Sequence, residues 1–276
     1  MRRPFASTVR LDIAELVRAR WFLVYSLVFG GIVVALMGFG VTESRVTGFT
    51  GLSRMMVVYI QLAMAILPVF VLVTTVRSLV GEREAGVVEY MLSLPVPLSA
   101  WYWGRLTARF ITAAVPVVLA VVLAVGYGLM RAGDIPWVEL AASIGLMVSL
   151  TWCFLGIAFL ISALSRSADV AQGIALVVWL MLLVFMDLVL LGVMVREHLP
   201  AETAVMIALA NPMQVFRTAA MVVFDPELVL LGPSAWVILD VFGAAGYLAW
   251  ALLYPVVLGT AAAVGGYLAF RRGDLV

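Results

Sequence analysis

The residues of this chain that could do chemistry are few, and most of them sit together. Between Arg77 and Arg109 lie Glu82, Arg83, Glu84, Glu89 and Arg105, with long apolar runs on both sides. A short helix presented between two spans has the shape to dock in a groove of a soluble partner, and an ordinary solvated loop is the plain alternative. All 17 basic residues are arginine. Without a lysine the sequence holds neither a Walker A loop, whose lysine contacts nucleotide phosphates, nor a Schiff-base site. The single cysteine, Cys153, lies in an apolar run and allows no intrachain disulfide or cysteine-rich metal cluster. His198 has no nearby Ser/Asp set and no His-Glu-x-x-His pattern.

Asp187 is the one clear ionisable group inside an apolar span. A charge at the bilayer centre costs at least about 2.5 kcal/mol. Counting from Val170 at about 1.5 Å per residue places it roughly 25 Å across, near the far interface. It reads as a pathway or dimer-interface carboxylate, or as an interfacial residue with access to water. Asp240 is expected outside the membrane. Met181, Met186, Met194, Met206, Met213 and Met221 gather with His198 near the fifth span. Thioethers and imidazole suit copper, but methionine is also an apolar filler. With no tightly spaced methionine pair, these residues are not assigned as metal ligands. Asn211-Pro212 followed by Phe216-Arg217 reads as a capped turn into an outer helix, either docking an outer partner or simply turning the chain.

The elements that must position these groups are apolar helices. Of 276 residues, 65% are hydrophobic and 12% charged. That is about half the charge of a soluble domain, so much of the surface must face lipid, and membrane lipid is the first partner implied. A net charge of +1 offers no field for nucleic acid. Expected spans are Trp21–Val41, Met55–Val76 with Pro68, Phe110–Met130 with Pro116, a fourth within Leu140–Leu164, Val170–Val195, and a sixth within Tyr247–Phe270. Before them, Ser7–Arg20 places Val9, Ile13, Leu16 and Val17 on one stripe and Arg10, Asp12 and Arg18 away from it, with Ser7 or Thr8 as cap. This predicts an amphipathic helix on the membrane surface rather than a secretory signal.

Six spans put both termini on one side. If that side is cytoplasmic, twelve arginines lie inside and five outside, as the positive-inside rule favours. The expected fold is all-α: a polytopic membrane protein of six transmembrane helices, an N-terminal amphipathic interfacial helix and a cytoplasmic coupling helix. Residues 1–276 form one domain, with 1–20 the cytoplasmic interfacial helix, 77–109 the cytoplasmic coupling segment and 196–247 extracytoplasmic. Breakers Pro200, Asn211-Pro212, Asp225-Pro226 and Gly232-Pro233 punctuate that last segment. No internal repeat supports an inverted-repeat transporter.

Within the coupling segment, Gly81–Leu94 predicts a short helix. Glu82, Arg83, Glu84 and Glu89 form its charged start, suited to the positive helix end, and Val87, Val88, Met91, Leu92 and Leu94 its apolar side. Pro95 and Pro97 stop it. Ser99 can cap the next helix, whose Trp101, Tyr102 and Trp103 suit the membrane interface.

The run Gly81-Glu-Arg-Glu-Ala-Gly86, then Val87-Val-Glu-Tyr-Met-Leu92, Leu94-Pro95 and Arg105 resembles the cytoplasmic segment of ABC-2 type permeases. Val87 stands where that family commonly has threonine, and Arg105 where it commonly has lysine. Further along, Arg18-Ala-Arg20-Trp21, Gly48-Phe49-Thr50, Phe185–Leu191, Leu209–Arg217 and Phe270-Arg-Arg272 are similar to the NosY branch, permeases that serve maturation of nitrous oxide reductase in denitrification.

The resemblance implies a homodimer of six-span subunits in the bacterial inner membrane. It implies cytoplasmic ABC ATPase subunits that bind ATP, no cofactor on this chain, and a periplasmic copper-binding partner. It also implies that Glu82, Arg83, Glu84, Glu89, Met91 and Leu92 make the ATPase contact. A second reading is an ABC-2 exporter of a drug, lipid or peptide. A third is a membrane enzyme using Asp187 as an acid.

Overall fold

A helix in lipid closes its backbone hydrogen bonds within itself, and that requirement sets the architecture. The computed structural model describes residues 2–38, 51–92, 96–130, 137–185, 206, 208–224 and 233–273. Every regular element among them is helical: α1 (Arg2–Arg18), α2 (Arg20–Gly38), α3 (Gly51–Thr75), α4 (Arg77–Glu84), α5 (Val87–Leu92), α6 (Leu98–Met130), α7 (Trp137–Leu164), α8 (Ala168–Leu180), α9 (Pro212–Phe224) and α10 (Pro233–Gly273). A π-helical turn, Met181–Phe185, extends α8, and α10 breaks at Gly243, where φ is 64°.

Among the described residues, four stretches are long and apolar enough to cross a bilayer: Val58–Glu84, Leu98–Gly126, Trp137–Leu164 and Phe242–Arg272. They correspond to the expected second, third, fourth and sixth spans. The first and fifth show as shorter apolar helices, Phe22–Ile32 and Ala168–Val184; α2 itself runs on to Gly38, and the ends of the two expected spans, 39–41 and 186–195, lie outside the described residues. The chain is an all-α, polytopic membrane protein.

Helix α7 is apolar on all sides, as a central helix must be, and α3, α6, α9 and α10 pack around it. Its closest neighbour is α10. A Cβ on Gly156 would lie 1.9 Å from the carbonyl oxygen of Gly259, and one on Gly259 would lie 2.6 Å from Cys153 Cα. Backbones meet here because side chains are absent, the small-residue packing that lipid favours.

The prolines inside two spans are stitched to neighbouring helices. A proline removes one backbone donor and opens the turn before it. Tyr25 on α2 donates to Ala113 O (3.0 Å), three residues before Pro116. Ser149 on α7 donates to Leu252 O (2.8 Å), three residues before Pro255. Tyr59 and Tyr102 add bonds to Val117 O and Ala263 O.

Helix α1 differs from expectation in two ways. It begins at Arg2, and Thr8 sits inside it, donating back to Pro4 O at 3.0 Å rather than capping. Its inward face is Phe5, Thr8, Val9, Asp12, Ile13 and Leu16, while Leu11 and Val17 face outward. Asp12 lies one turn from Val9 and Leu16, so the helical register carries it inward with them. Gly104 allows the close fit of α1 on α6: a Cβ there would sit 3.0 Å from Thr8 Cβ.

Overpacking a tight contact costs about 1–3 kcal/mol. Gly156→Ala is expected at the upper end, because backbone must yield, and Gly145→Ala near the lower end, because its Cβ meets the tip of Leu252. Thermal unfolding of the two variants in detergent measures the difference.

Candidate functional site

The charged segment is built as a clamp around Arg105. This side chain stands on α6, 9% exposed, with its guanidinium 5.0 Å above the ring of Trp101, one turn earlier. Its Nε lies 3.3 Å from Asp12 Oδ1 on α1. Its NH1 pairs with Glu82 Oε1 on α4 and donates to Ser78 O at 3.4 Å. One cation thus joins three helices that are far apart in sequence. Burial pushes the Asp12 carboxyl up from its ordinary value, and the charges of Arg105 and Arg109 pull it back.

Helix α4 is held at both ends. Its first turn has free N–H groups, and Val76 offers no side-chain cap. Ser162 on α7 supplies one: its Oγ accepts from Leu79 N and Val80 N, both at 3.1 Å. At the other end Glu84 Oε1 accepts from Ala168 N, the first residue of α8, at 3.2 Å. Ser167 completes that cap by accepting from Val170 N at 3.3 Å. The Glu84 carboxylate also faces the positive end of α8. Arg77 approaches Asp169 at 3.6 Å, but both side chains are exposed and the pair adds little. Arg83 lies 5.2 Å over the ring of Phe270, near the end of α10.

The helix expected over Gly81–Leu94 is therefore two. Helix α4 ends at Glu84, the chain turns at Ala85 and Gly86, and α5 follows. Gly86 has φ of 70°, which L side chains rarely adopt. Glu82, Arg83 and Glu84 are at the C-terminal end of α4, so the expected favourable dipole at their own helix start is not what places them. Their partners on α6, α8 and α10 do. Val88 is buried under α5, while Val87 and Tyr90 stand on its outer side, Tyr90 66% exposed. The side chains of Glu89, Met91 and Leu92 lie outside the described residues. Helix α6 starts at Leu98, where Pro97 O accepts from Ala100 N at 2.9 Å; Ser99 is inside its first turn.

At the other end, Asn211 donates to Leu182 O at 2.8 Å and accepts from Met213 N at 3.0 Å, tying the start of α9 to the π-helical turn. The capped turn expected from Asn211-Pro212 is there. Asn211, Pro212 and Phe216 face the interior, and Arg217 is half-buried beside Gln61 and Met64. Asp187, Met186, Met194 and His198 lie outside the described residues, as does the side chain of Asp240. Met213 is buried and Met206 exposed. Among the described residues, no group of three His, Cys, Asp or Glu could hold a metal ion.

The sequence reading missed Asp12 and Ser162 as members of the site. The spacing of Asp12 from Val9 and Leu16 was the available signal for the first. Nothing local marks Ser162.

Comparison with known proteins covers nearly the whole chain. Residues 7–275 match the family described as ABC-2 family transporter protein. A probable ABC transporter permease protein NosY from Pseudomonas aeruginosa is 26% identical over 228 residues, 78% of this chain and 81% of the relative. One of the same description from Stutzerimonas stutzeri is 27% identical over 221 residues, 75% of this chain and 78% of the relative.

Removing one member of a buried ion pair costs about 3–5 kcal/mol. Arg105→Gln strands two carboxylates and is expected to lose that much, with α1 becoming protease-sensitive. Asp12→Asn is expected to cost clearly less, since it also removes a charge that burial disfavours. Thermal unfolding and limited proteolysis check both.

Proposed function

The chain belongs to the ABC-2 family of transporters as a permease subunit, and from that premise we propose that it couples ATP hydrolysis by a partner ATPase to copper delivery for nitrous oxide reductase. The likeness to NosY permeases over three-quarters of the chain carries the copper reading. In this proposal the subunit is a homodimer with both termini in the cytoplasm. The ATPase binds at the α4–α5 end, and a periplasmic copper-binding partner meets the opposite end.

The coupling residues divide by their surroundings. Glu82 and Arg83 are turned inward, to Arg105 and Phe270, and hold α4 in place. The surface presented to the ATPase is the outer side of α5, with Val87 and Tyr90, together with Glu84 and the positions Glu89, Met91 and Leu92. An aromatic set among apolar neighbours on a short helix is suited to a groove in a soluble partner. Outer docking uses α9, where Asn211, Pro212 and Phe216 set the helix and Arg217 lies nearest its surface. Asp187 is carried as an intramembrane polar residue of the same pathway.

Force delivered to α5 reaches α4 directly. Ser162 passes it to α7, Glu84 to α8, and Arg105 to α6 and α1. In this scheme the permease transmits a conformational change, and its own residues carry out no bond-breaking step.

Losing a central interface aromatic costs about 2 kcal/mol or more, roughly thirtyfold in affinity. Tyr90→Ala and Glu89→Arg are expected to insert and fold normally yet recover little ATPase on co-purification, and to leave nitrous oxide reductase copper-poor in cells. Glu84→Arg is expected to do the same while also loosening the start of α8. Full copper loading of the reductase in cells lacking this chain would sink the copper reading and leave an ABC-2 exporter of a drug, lipid or peptide. Unchanged ATPase recovery in all three variants would sink the assignment of the docking surface.

A further inference from the structure

Arg109 sits one turn beyond Arg105 on α6, but no carboxylate among the described residues forms an ion pair with it. Its NH1 donates to Thr74 O at 3.0 Å, and its Nε is buried without an acceptor. The side chain lines a cleft between the α1–α2 elbow, α3 and α6. The walls are Leu16, Ala19, Phe22, Phe70 and Ala113, so the cleft is apolar apart from this guanidinium and three threonines. Thr74 donates to Phe70 O at 2.8 Å, and Thr112 to Ala108 O at 3.1 Å. Those two hydroxyl protons are turned to their own helices, and Arg109 is the charged donor lining the cleft.

A cation in apolar surroundings needs an anion or water to offset its lost hydration. The acids nearby, Asp12 and Glu15, act on it through space and make no ion pair with it. Asp12 and Glu82 are committed to Arg105, and Glu15 is on the exposed face of α1. The free volume is about 50 Å³, against roughly 10–15 Å³ for one water by the same measure, which leaves room for a phosphate group. The cleft opens where the surface helix turns into the membrane. That elbow reads Arg18-Ala19-Arg20, and both of its arginines are exposed.

We propose that this cleft binds the phosphodiester of an anionic phospholipid, Arg109 pairing with the phosphate and the acyl chains lying along Phe22 and Phe70. The shared chemistry would also admit free phosphate. The lipid is favoured because the walls are apolar and offer one strong donor, whereas a free dianion calls for several. A lipid here would wedge between α1 and α3, beside the Arg105 clamp, so the leaflet's anionic content would bear on the position of α4. The site is independent of what the transporter carries.

The test uses the full chain purified in detergent, stripped of lipid, and titrated with phosphatidylglycerol, phosphatidylcholine or inorganic phosphate under native mass spectrometry. Wild type is expected to hold one phosphatidylglycerol per subunit in preference to phosphatidylcholine. Arg109→Gln is expected to bind it at least about tenfold more weakly, the worth of one charge-assisted hydrogen bond. Ala19→Leu, which narrows the cleft and keeps Arg109, is expected to weaken it similarly, and it serves should Arg109→Gln fail to fold. Arg18→Gln should retain most of the binding. Retention of phosphatidylglycerol by both cleft variants, equal binding of phosphatidylcholine, or inorganic phosphate competing at equal concentration would each overturn the proposal.

Discussion

A guanidinium buried among helices has to be met by opposite charge, and Arg105 organises one end of this protein for that reason. Its partners come from α1, which gives Asp12, and from α4, which gives Glu82 and the Ser78 carbonyl, so with α6 itself three segments take their places from one side chain. The network is not fully satisfied. Asp12 Oδ2 and Glu82 Oε2 are buried without a partner. A half-satisfied polar cluster is poorer for stability than a well-packed apolar one. Its retention at the end where an ATPase is proposed to bind fits a joint that holds elements in register, since stability alone would favour leucine.

The joint is rigid on one side and adjustable on the other. Helix α4 is capped by Ser162, anchored through Glu84 and clasped by Arg105. Helix α5 follows a single glycine turn and packs chiefly on α4. Any side chain at Gly86 would strain a φ of 70°. A small element on a fixed base can settle into a partner's groove without disturbing the spans, and a push on it meets a base already tied to four long helices.

Much of this was legible in the residues. Apolar length gave four of the six expected spans among the described residues, because lipid leaves few ways to satisfy a backbone. The charge cluster from Glu82 to Arg109 marked the site, because charges are costly everywhere else in such a chain. The division of labour inside the cluster was not legible. Glu82, Arg83 and Glu84 look alike as a run, but one turns to α6, one to α10 and one to α8, and only tertiary placement separates them. Hydrophobicity alone puts Asp12 off the inward stripe of α1, yet its register with Val9 and Leu16 buries it. The break at Gly86 was readable as a glycine but not as a left-handed turn. Asn211-Pro212 announced its turn correctly, and its burial came from packing against Leu182, which no local pattern encodes.

The long helices determine what such a joint can move. Three spans carry prolines that would ordinarily be hinges, Pro68, Pro116 and Pro255. Two of them are pinned: Tyr25 bonds the opened turn before Pro116, and Ser149 the one before Pro255. Helices α7 and α10 also touch backbone to backbone at Gly156 and Gly259, a contact with no room to slide past a side chain. Bending at mid-membrane would break these bonds and separate these surfaces together. A displacement at α4 is therefore better relayed as tilting of the packed α6–α7–α10 unit than as flexing within it. Tilting moves the far ends of the helices while leaving their interior contacts intact. That is the motion required if a change begun at one face of the membrane is to reach a partner on the other.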